Sequence, residues 1–467
     1  MKKHFLVFLL ILFALCSATC EPVLSDSQFA QFDAYLSEIT QAYHIPGMAF
    51  FITDPEKTLF SRTYGQCNSM EQQFFIGSMS KSYTALSIMQ LVEKGLIDLD
   101  KDISSYLPEY KFSKKVSILA LLNHTSGFDT HMKFKDVNIT GSYGKYEYAN
   151  INYDLLGKII EKVSGLSYED YVRKNIFDPL GMSDSNANAQ KLKDSPKLLT
   201  GNRNYFGFFK QGEADYPTEK SWFHEPAGYI ASTPQDHAKY LRMYLNDGYT
   251  DNAEQIIKKE TIDSMWYENV SLGSAEYETF YGKGWNYMEY DDLKIVFHGG
   301  QVENSITYMF ILPEKKLAVC FMINANDEFV MNSLMDNAFW NSLSIIKGTP
   351  VKKVSHASFI IRHIIIDAIY LLMFLLSLFI LIKAIRANTD TANKPKVKSI
   401  IVHILGCLIW PVFLLTFSKI LIDTPLWVIK SFVPDFYYVI LASSGLAITG
   451  GLIRAVKSLF FLKCHIK

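Results

Sequence analysis

A surplus of charge of either sign is missing from this chain. Its 467 residues carry 46 lysines and arginines against 47 aspartates and glutamates, a formal net charge of −1. Without a basic footprint there is no electrostatic grip on nucleic acid. Metal-ligand spacing is missing too: the 11 histidines are scattered, and neither H-E-x-x-H nor paired C-x-x-C occurs, so no metal site is expected. Phosphate-binding glycine motifs are absent, and no cofactor is expected. Cysteine is scarce. Of the six, only Cys67 and Cys320 fall between residues 21 and 350, where one disulfide and two small buried apolar side chains are both open readings.

What the chain has in excess is apolar sequence. It is 49% hydrophobic and 20% charged, more apolar than a purely soluble protein of this size requires, and the excess sits at the two ends. Met1-Lys2-Lys3-His4 followed by Phe5 to Cys16 reads as a secretory signal peptide over residues 1–20, its apolar run too short to span a bilayer. Cleavage is expected near Ala18 or Cys20. Ser17-Ala18-Thr19 lacks the leucine expected three residues ahead of a lipidated cysteine, which disfavours a lipoprotein. Beyond Val351 three stretches, Ile364 to Ile382, Ser399 to Ser418 and Phe436 to Ile453, approach the length that spans a hydrocarbon core. Residues 351–467 therefore read as a membrane region of three helices.

Basic residues set the expected orientation. Lys383, Arg386, Lys394, Lys396 and Lys398 follow the first span, and Arg454, Lys457, Lys463 and Lys467 follow the third. Positive charge stays inside, so both segments are expected in the cytoplasm and the domain at 21–350 outside. Lys352, Lys353 and Arg362 weigh slightly the other way. Asp367 and His403 lie at membrane depth but near an interface, and read as snorkelling or helix-pairing groups.

Between the ends, hydrophobic spacing predicts a helix through Phe29, Phe32, Leu36, Ile39 and Tyr43, stopped by Pro46-Gly47. Strands are expected at Met48 to Thr53, Thr58 to Tyr64, Ser305 to Leu312 and Leu317 to Asn324, with a closing helix from Phe329 to Ile346. The first and last strands are expected to pair in one antiparallel sheet flanked by helices, an α+β domain. The polar stretch Asn186 to Glu225 suits substrate-shaping loops or a solvated excursion equally well.

Chemistry enters at Ser78-Met79-Ser80-Lys81, which puts a hydroxyl and an amine three residues apart where a helix begins. Residues i and i+3 share a helix face, so Lys81 can reach the Ser78 oxygen and take its proton. The pattern is loose, for Ser142 to Lys145 and Ser344 to Lys347 repeat it. Two constellations raise the first copy above the others: Tyr148-Ala149-Asn150, ahead of a helical run through Leu155, Leu156, Ile159, Ile160 and Val163, and His298-Gly299-Gly300, ending the strand-like Lys294 to Phe297. Glycines at 299 and 300 would let a backbone approach a ligand closely, or would form a plain turn after a strand.

In order and spacing these three motifs resemble the class C β-lactamase and penicillin-binding-protein-like serine hydrolase family. The likeness runs from about Ile45 to Asn324 and includes Leu121-Leu122-Asn123-His124-Thr125-Ser126-Gly127, Pro226-Ala227-Gly228 and Tyr281-Gly282-x-Gly284-Trp285. The resemblance implies a β-lactamase/transpeptidase-like fold and specific roles. Ser78 would be the acylated nucleophile, Lys81 and Tyr148 the groups that share its proton, and Asn150 a partner for substrate and for Lys81. The backbone N–H groups of Ser78 and Gln301 would form the oxyanion hole. His124 it makes a structural residue.

His298 departs from the family pattern, standing where β-lactamases usually carry lysine, and is expected to be charged only part of the time near neutral pH. Gly299 lacks the hydroxyl of the usual threonine or serine. Two groups that grip a substrate carboxylate are thus weakened or missing, which favours esters, amides or D-amino-acid conjugates over β-lactams. Histidine also occurs here in family peptidases. The expected function is a membrane-anchored, exported serine hydrolase, with a D-alanyl peptidase or β-lactamase, and a covalent sensor of β-lactams or wall fragments, as the alternatives. A small-molecule or cell-wall-derived substrate and the lipid bilayer are the expected partners, with protein partners left open.

Overall fold

Strand β1 (Gly47–Thr53) buries all seven of its residues, which a strand can do only when both faces of its sheet are covered. Side chains alternate across a strand, and here the alternation sorts two cores. Met48, Phe50 and Ile52 face one, with Phe32 and Leu36 of helix α1 (Asp26–Ala42) and Leu334 and Phe339 from near the end of the domain. Ala49 and Phe51 face the other, with Tyr83 and Leu86 of helix α2 (Ser80–Glu93). A capping box between Ser25 and Gln28 starts α1 three residues ahead of Phe29, the first apolar position of the expected helix.

A computed structural model describes residues 23–273, 277–387 and 397–464. Its main sheet has eight antiparallel strands. With β2 at Thr58–Gly65, β3 at Val270–Ser271, β4 at Thr279–Gly282, β5 at Trp285–Tyr290, β6 at Leu293–Val302, β7 at Ser305–Leu312 and β8 at Leu317–Ile323, the order is β2-β1-β8-β7-β6-β5-β4-β3. β1 and β8 pair as expected, with Phe50 opposite Phe321. Helix α3 (Asn150–Ser164) packs against α2 in a helical layer on the far side from α1, and α4 (Met331–Lys347) closes the domain. This is the β-lactamase/transpeptidase-like α+β architecture.

One strand corrects the sequence reading. β6 does not end at Phe297; it continues through His298, Gly299 and Gly300, opposite Met309, Tyr308 and Thr307 of β7. Its pairing with β5 stops at Phe297, so His298 to Val302 leave one strand edge clear of β5. That edge meets the turn before α2. A Cβ on Gly300 would lie 1.9 Å from the Ile76 oxygen, and one on Gly77, whose φ is +55°, would lie 2.1 Å from the Gln301 nitrogen. Two glycines are therefore what allow these backbones to touch.

The C-terminal region holds α5 (His356–Arg386), α6 (Val397–Ile422), the short α7 (Leu426–Phe432) and α8 (Pro434–Cys464). Among the described residues two helices, His356–Arg386 and Pro434–Lys457, are long and apolar enough to cross a membrane. The expected second span joins them only if Leu408–Leu421 and Leu426–Phe432, bent 82° apart, count as one. The bend has a cause: Asp423 takes a positive φ of +49° and Pro425 follows it. The expected signal peptide, with Cys20, lies outside the described residues, as do Lys394, Lys396 and the side chain of His403.

These helices dock on the α+β domain. His363 Nε2 lies 2.8 Å from Asp327 Oδ2, both side chains buried. Phe206 donates its N–H to Asp435 at 3.0 Å, Ser431 donates to Asp215 at 2.8 Å, and Lys133 Nζ sits 4.1 Å above the Trp427 ring. Trp222 packs edge-on against Trp427 at 5.5 Å.

Candidate active site

Ser78 sits in a single 3-10 turn, Gly77–Met79, that runs directly into α2. That lead-in carries Lys81 onto the same face, with Nζ 3.1 Å from Ser78 Oγ. Tyr148 arrives from the extended chain before α3 and donates its hydroxyl to Ser78 Oγ at 2.7 Å. Asn150, the first residue of α3, accepts from Lys81 at 2.7 Å. The structure thus brings Ser78, Lys81, Tyr148 and Asn150 together around one oxygen, and the other two S-x-x-K copies take no part in this cluster.

Lys81 is fully buried, and desolvation pushes its pKa down to about 7 against the opposing pull of the Asp154 carboxylate. It also donates to the main-chain oxygen of Ala227 at 2.6 Å. A neutral amine has two N–H groups and one lone pair. Asn150 and Ala227 take the two N–H groups, and the lone pair is left for the Ser78 hydroxyl. Burial raises the Tyr148 phenol far above its ordinary value, so it stays a donor. The two groups are therefore poised differently: Lys81 to accept the serine proton, Tyr148 to hold the oxygen.

His298 stands on β6, 3% exposed, and burial together with the nearby Lys81 pushes its pKa down to about 3. This corrects the expectation of partial charge: the imidazole is neutral throughout the working range. Its Nδ1 donates to the Gly299 oxygen at 2.6 Å, which leaves Nε2 to accept from Tyr281 at 3.3 Å. Gln301 turns its side chain away, donating to Asn326 at 2.9 Å and Glu328 at 2.6 Å, so what it offers toward Ser78 is main chain. Gly299 and Gly300 belong to the same strand edge.

His124 is buried with φ at +56° and accepts at Nδ1 from the Ala149 N–H at 3.2 Å and from Asn152 at 3.0 Å. Its ring lies 4.4 Å from that of Tyr148. It props the tyrosine and does not reach the serine's proton relay. Cys67 and Cys320 are both free thiols, buried and apart from the site.

Two contributors escaped the sequence reading. The Ala227 carbonyl is a main-chain atom, so no residue type signals it, although the Pro-Ala-Gly segment around it was visible. The second is larger. Ser78, Tyr148, Asn150 and Gln301 open into a cavity of about 630 Å³ whose other walls include Trp222, Phe223 and residues of α5, α6, α7 and α8. Trp222 and Phe223 lie in the polar stretch that suited substrate-shaping loops and a solvated excursion equally well; the helices could be found only from the fold.

Comparison with known proteins places the chain in a family and a fold. A family model described as Beta-lactamase matches residues 32–336. Protein flp of Staphylococcus aureus (strain MRSA252) is 24% identical over 341 residues, 66% of this chain and 64% of its own, so the chain spans just under two thirds of that curated relative. Among solved structures, an octameric penicillin-binding protein homologue from Pyrococcus abyssi superposes with a TM-score of 0.60 at 25% identity, over 70% of this chain and 79% of that one. The D-amino acid amidase of Ochrobactrum anthropi SV3 shares the fold, with a TM-score of 0.56 at 23% identity, over 68% of this chain and 99% of that one.

Proposed function

Because the chain belongs to the Beta-lactamase family of serine hydrolases, we propose that it hydrolyses esters, amides or D-amino-acid conjugates through an acyl-enzyme on Ser78, as an exported, membrane-anchored enzyme. The observation that carries the reading is the Ser78 oxygen held at 2.7 Å from the Tyr148 hydroxyl and 3.1 Å from Lys81 Nζ.

In this mechanism neutral Lys81 takes the Ser78 proton as Oγ attacks the substrate carbonyl carbon. The carbonyl oxygen becomes an oxyanion held by the N–H groups of Ser78 and Gln301. Collapse expels the alcohol or amine, which receives the proton from the Lys81 ammonium through the Tyr148 hydroxyl. Water then attacks the acyl ester, Lys81 takes its proton and returns it to Ser78 Oγ, and the carboxylic acid leaves.

Substrate class follows from charge. A neutral His298 beside Gly299 supplies neither a cation nor a hydroxyl for a substrate carboxylate, so a β-lactam finds a poorer site than a neutral ester or amide. The test is intact-protein mass spectrometry of the full chain with short fluorogenic esters, D-alanyl amides and a cephalosporin. An acyl adduct on Ser78 that turns over with esters or amides is expected. An adduct elsewhere, or turnover that survives Ser78→Ala, would end this reading.

A further inference from the structure

We infer that the substrate of this site is an amphiphile, whose hydrolysable carbonyl meets Ser78 while its hydrocarbon chain lies among the C-terminal helices; this rests on the hydrolase reading above. The carrying observation is a single cavity of about 630 Å³ lined by two unlike sets of residues, within the range usual for sites that enclose a small molecule. One set is Ser78, Tyr148 and Asn150. The other is Ile366, Ile369 and Met373 of α5, Phe417 of α6, and Val428 and Phe432 of α7.

Helices that only anchor a domain have no reason to complete its active site. Here they do. Among the described residues α5 and α8 are each long and apolar enough to cross a membrane, and both line the cavity, α8 through Phe436. The walls also bring the catalytic domain's Trp222 into edge contact with Phe432 at 6.3 Å. A water-soluble substrate gains nothing from such a wall, because only apolar groups are stabilised by leaving water for it. An amphiphile matches both sets of residues at once, and its tail can remain in apolar surroundings while its head reaches the nucleophile. The docking contacts His363 to Asp327 and Phe206 to Asp435 hold the helices where the cavity requires them.

The experiment uses the full chain in amphipol with two ethyl alkylfluorophosphonates, one methyl and one dodecyl. Either substituent on phosphorus can point to the acyl or the leaving-group side, so the probe does not presuppose which part of the substrate bears the tail. Labelling of Ser78 is followed by mass spectrometry over time, with Ser78→Ala as background. The dodecyl probe is expected to label about tenfold faster or more, since each buried methylene adds favourable transfer. Ile366→Trp and Val428→Trp, which fill the cavity from two different helices, should each drive the ratio of dodecyl to methyl labelling toward one. The ratio keeps a poorly folded variant from imitating the result, because misfolding lowers both rates.

The outcomes separate the two levels of the argument. If neither probe labels Ser78, the hydrolase reading falls and takes this inference with it. If the methyl probe labels but the dodecyl probe has no advantage, the cavity is filled by a bilayer lipid or by nothing, and the inference alone is overturned. A dodecyl advantage that both tryptophan variants leave intact overturns it as well.

Discussion

Lys81 Nζ lies closer to the main-chain oxygen of Ala227, at 2.6 Å, than to Ser78 Oγ, at 3.1 Å. The carbonyl is a permanent acceptor 146 residues away in sequence, and it fixes the direction of one lysine N–H whichever substrate is present. With Asn150 holding the second, the lone pair of the neutral amine has one place left to point. The segment Glu225–Tyr229 that supplies this carbonyl therefore acts on the base without contributing a side chain to it.

A pH profile tests this arrangement. Burial depresses the Lys81 pKa from 10.5 to about 7, so the base form is lost as pH falls through 7 and is complete above it. kcat/KM for a short ester should rise with pH to a midpoint near 7 and then level. A profile flat from pH 5 to 9 would remove Lys81 as the base, the pH limits being about two units either side of that midpoint.

The same limb separates Lys81 from the His298 imidazole. His298 is neutral down to about pH 3, so His298→Gln should keep an acid limb near neutrality while changing KM more than kcat. Loss of that limb in the variant would transfer the titration to the histidine. Because His298 and Gly299 offer no fixed charge or hydroxyl, the wild-type protein should also turn over a neutral ester faster than a cephalosporin under identical conditions.

Tyr148→Phe removes the 2.7 Å donor to Ser78 Oγ and keeps the ring that packs 4.4 Å from His124. Turnover should fall about a hundredfold or more, the scale of a lost acid–base group, with the melting temperature nearly unchanged. Lys81→Ala should cost at least as much. Equal rates in either variant, measured on one ester, would strike that residue from the mechanism.

Much of this site was legible because nucleophile, base and tyrosine sit in short local patterns, each tied to the start of a helix or to a strand whose period is readable. Ser78 and Lys81 needed only i,i+3 geometry. His298 was read as charged part of the time, whereas burial holds it neutral, because the sequence carries no measure of how deeply β6 buries it. The glycines at 299 and 300 left two readings open, a close backbone approach and a plain turn; in the fold they continue the strand, and a Cβ on Gly300 would meet the Ile76 carbonyl oxygen at 1.9 Å. The apolar half of the cavity was illegible for another reason. Ile366 and Val428 are ordinary residues of apolar helices, and nothing local marks the faces that turn toward Ser78.

The last prediction concerns the path of the chain across the membrane. α5 begins at the catalytic domain, where His363 meets Asp327, and its 31 residues extend about 46 Å at the usual helical rise. Trp427 is back at the domain, against Lys133 and Trp222. The chain between them must therefore return along α6. α8 then starts beside Phe206 through Asp435 and reaches the far end of α5, where Lys457 donates to the Ala387 oxygen at 3.1 Å. We predict three passes if α5 crosses, with the bend at Asp423 turning α6 into α7 on the domain's side. If the N-terminal segment exports the chain and the basic residues Lys383, Arg386 and Lys457 stay inside, a tag after Lys467 should resist protease on intact cells. A catalytic fragment ending in the linker between α4 and α5 should be released under the same treatment. A C-terminal tag cut from outside while the catalytic domain is also accessible would require an even number of crossings, and would overturn this path without touching the assignment of Ser78.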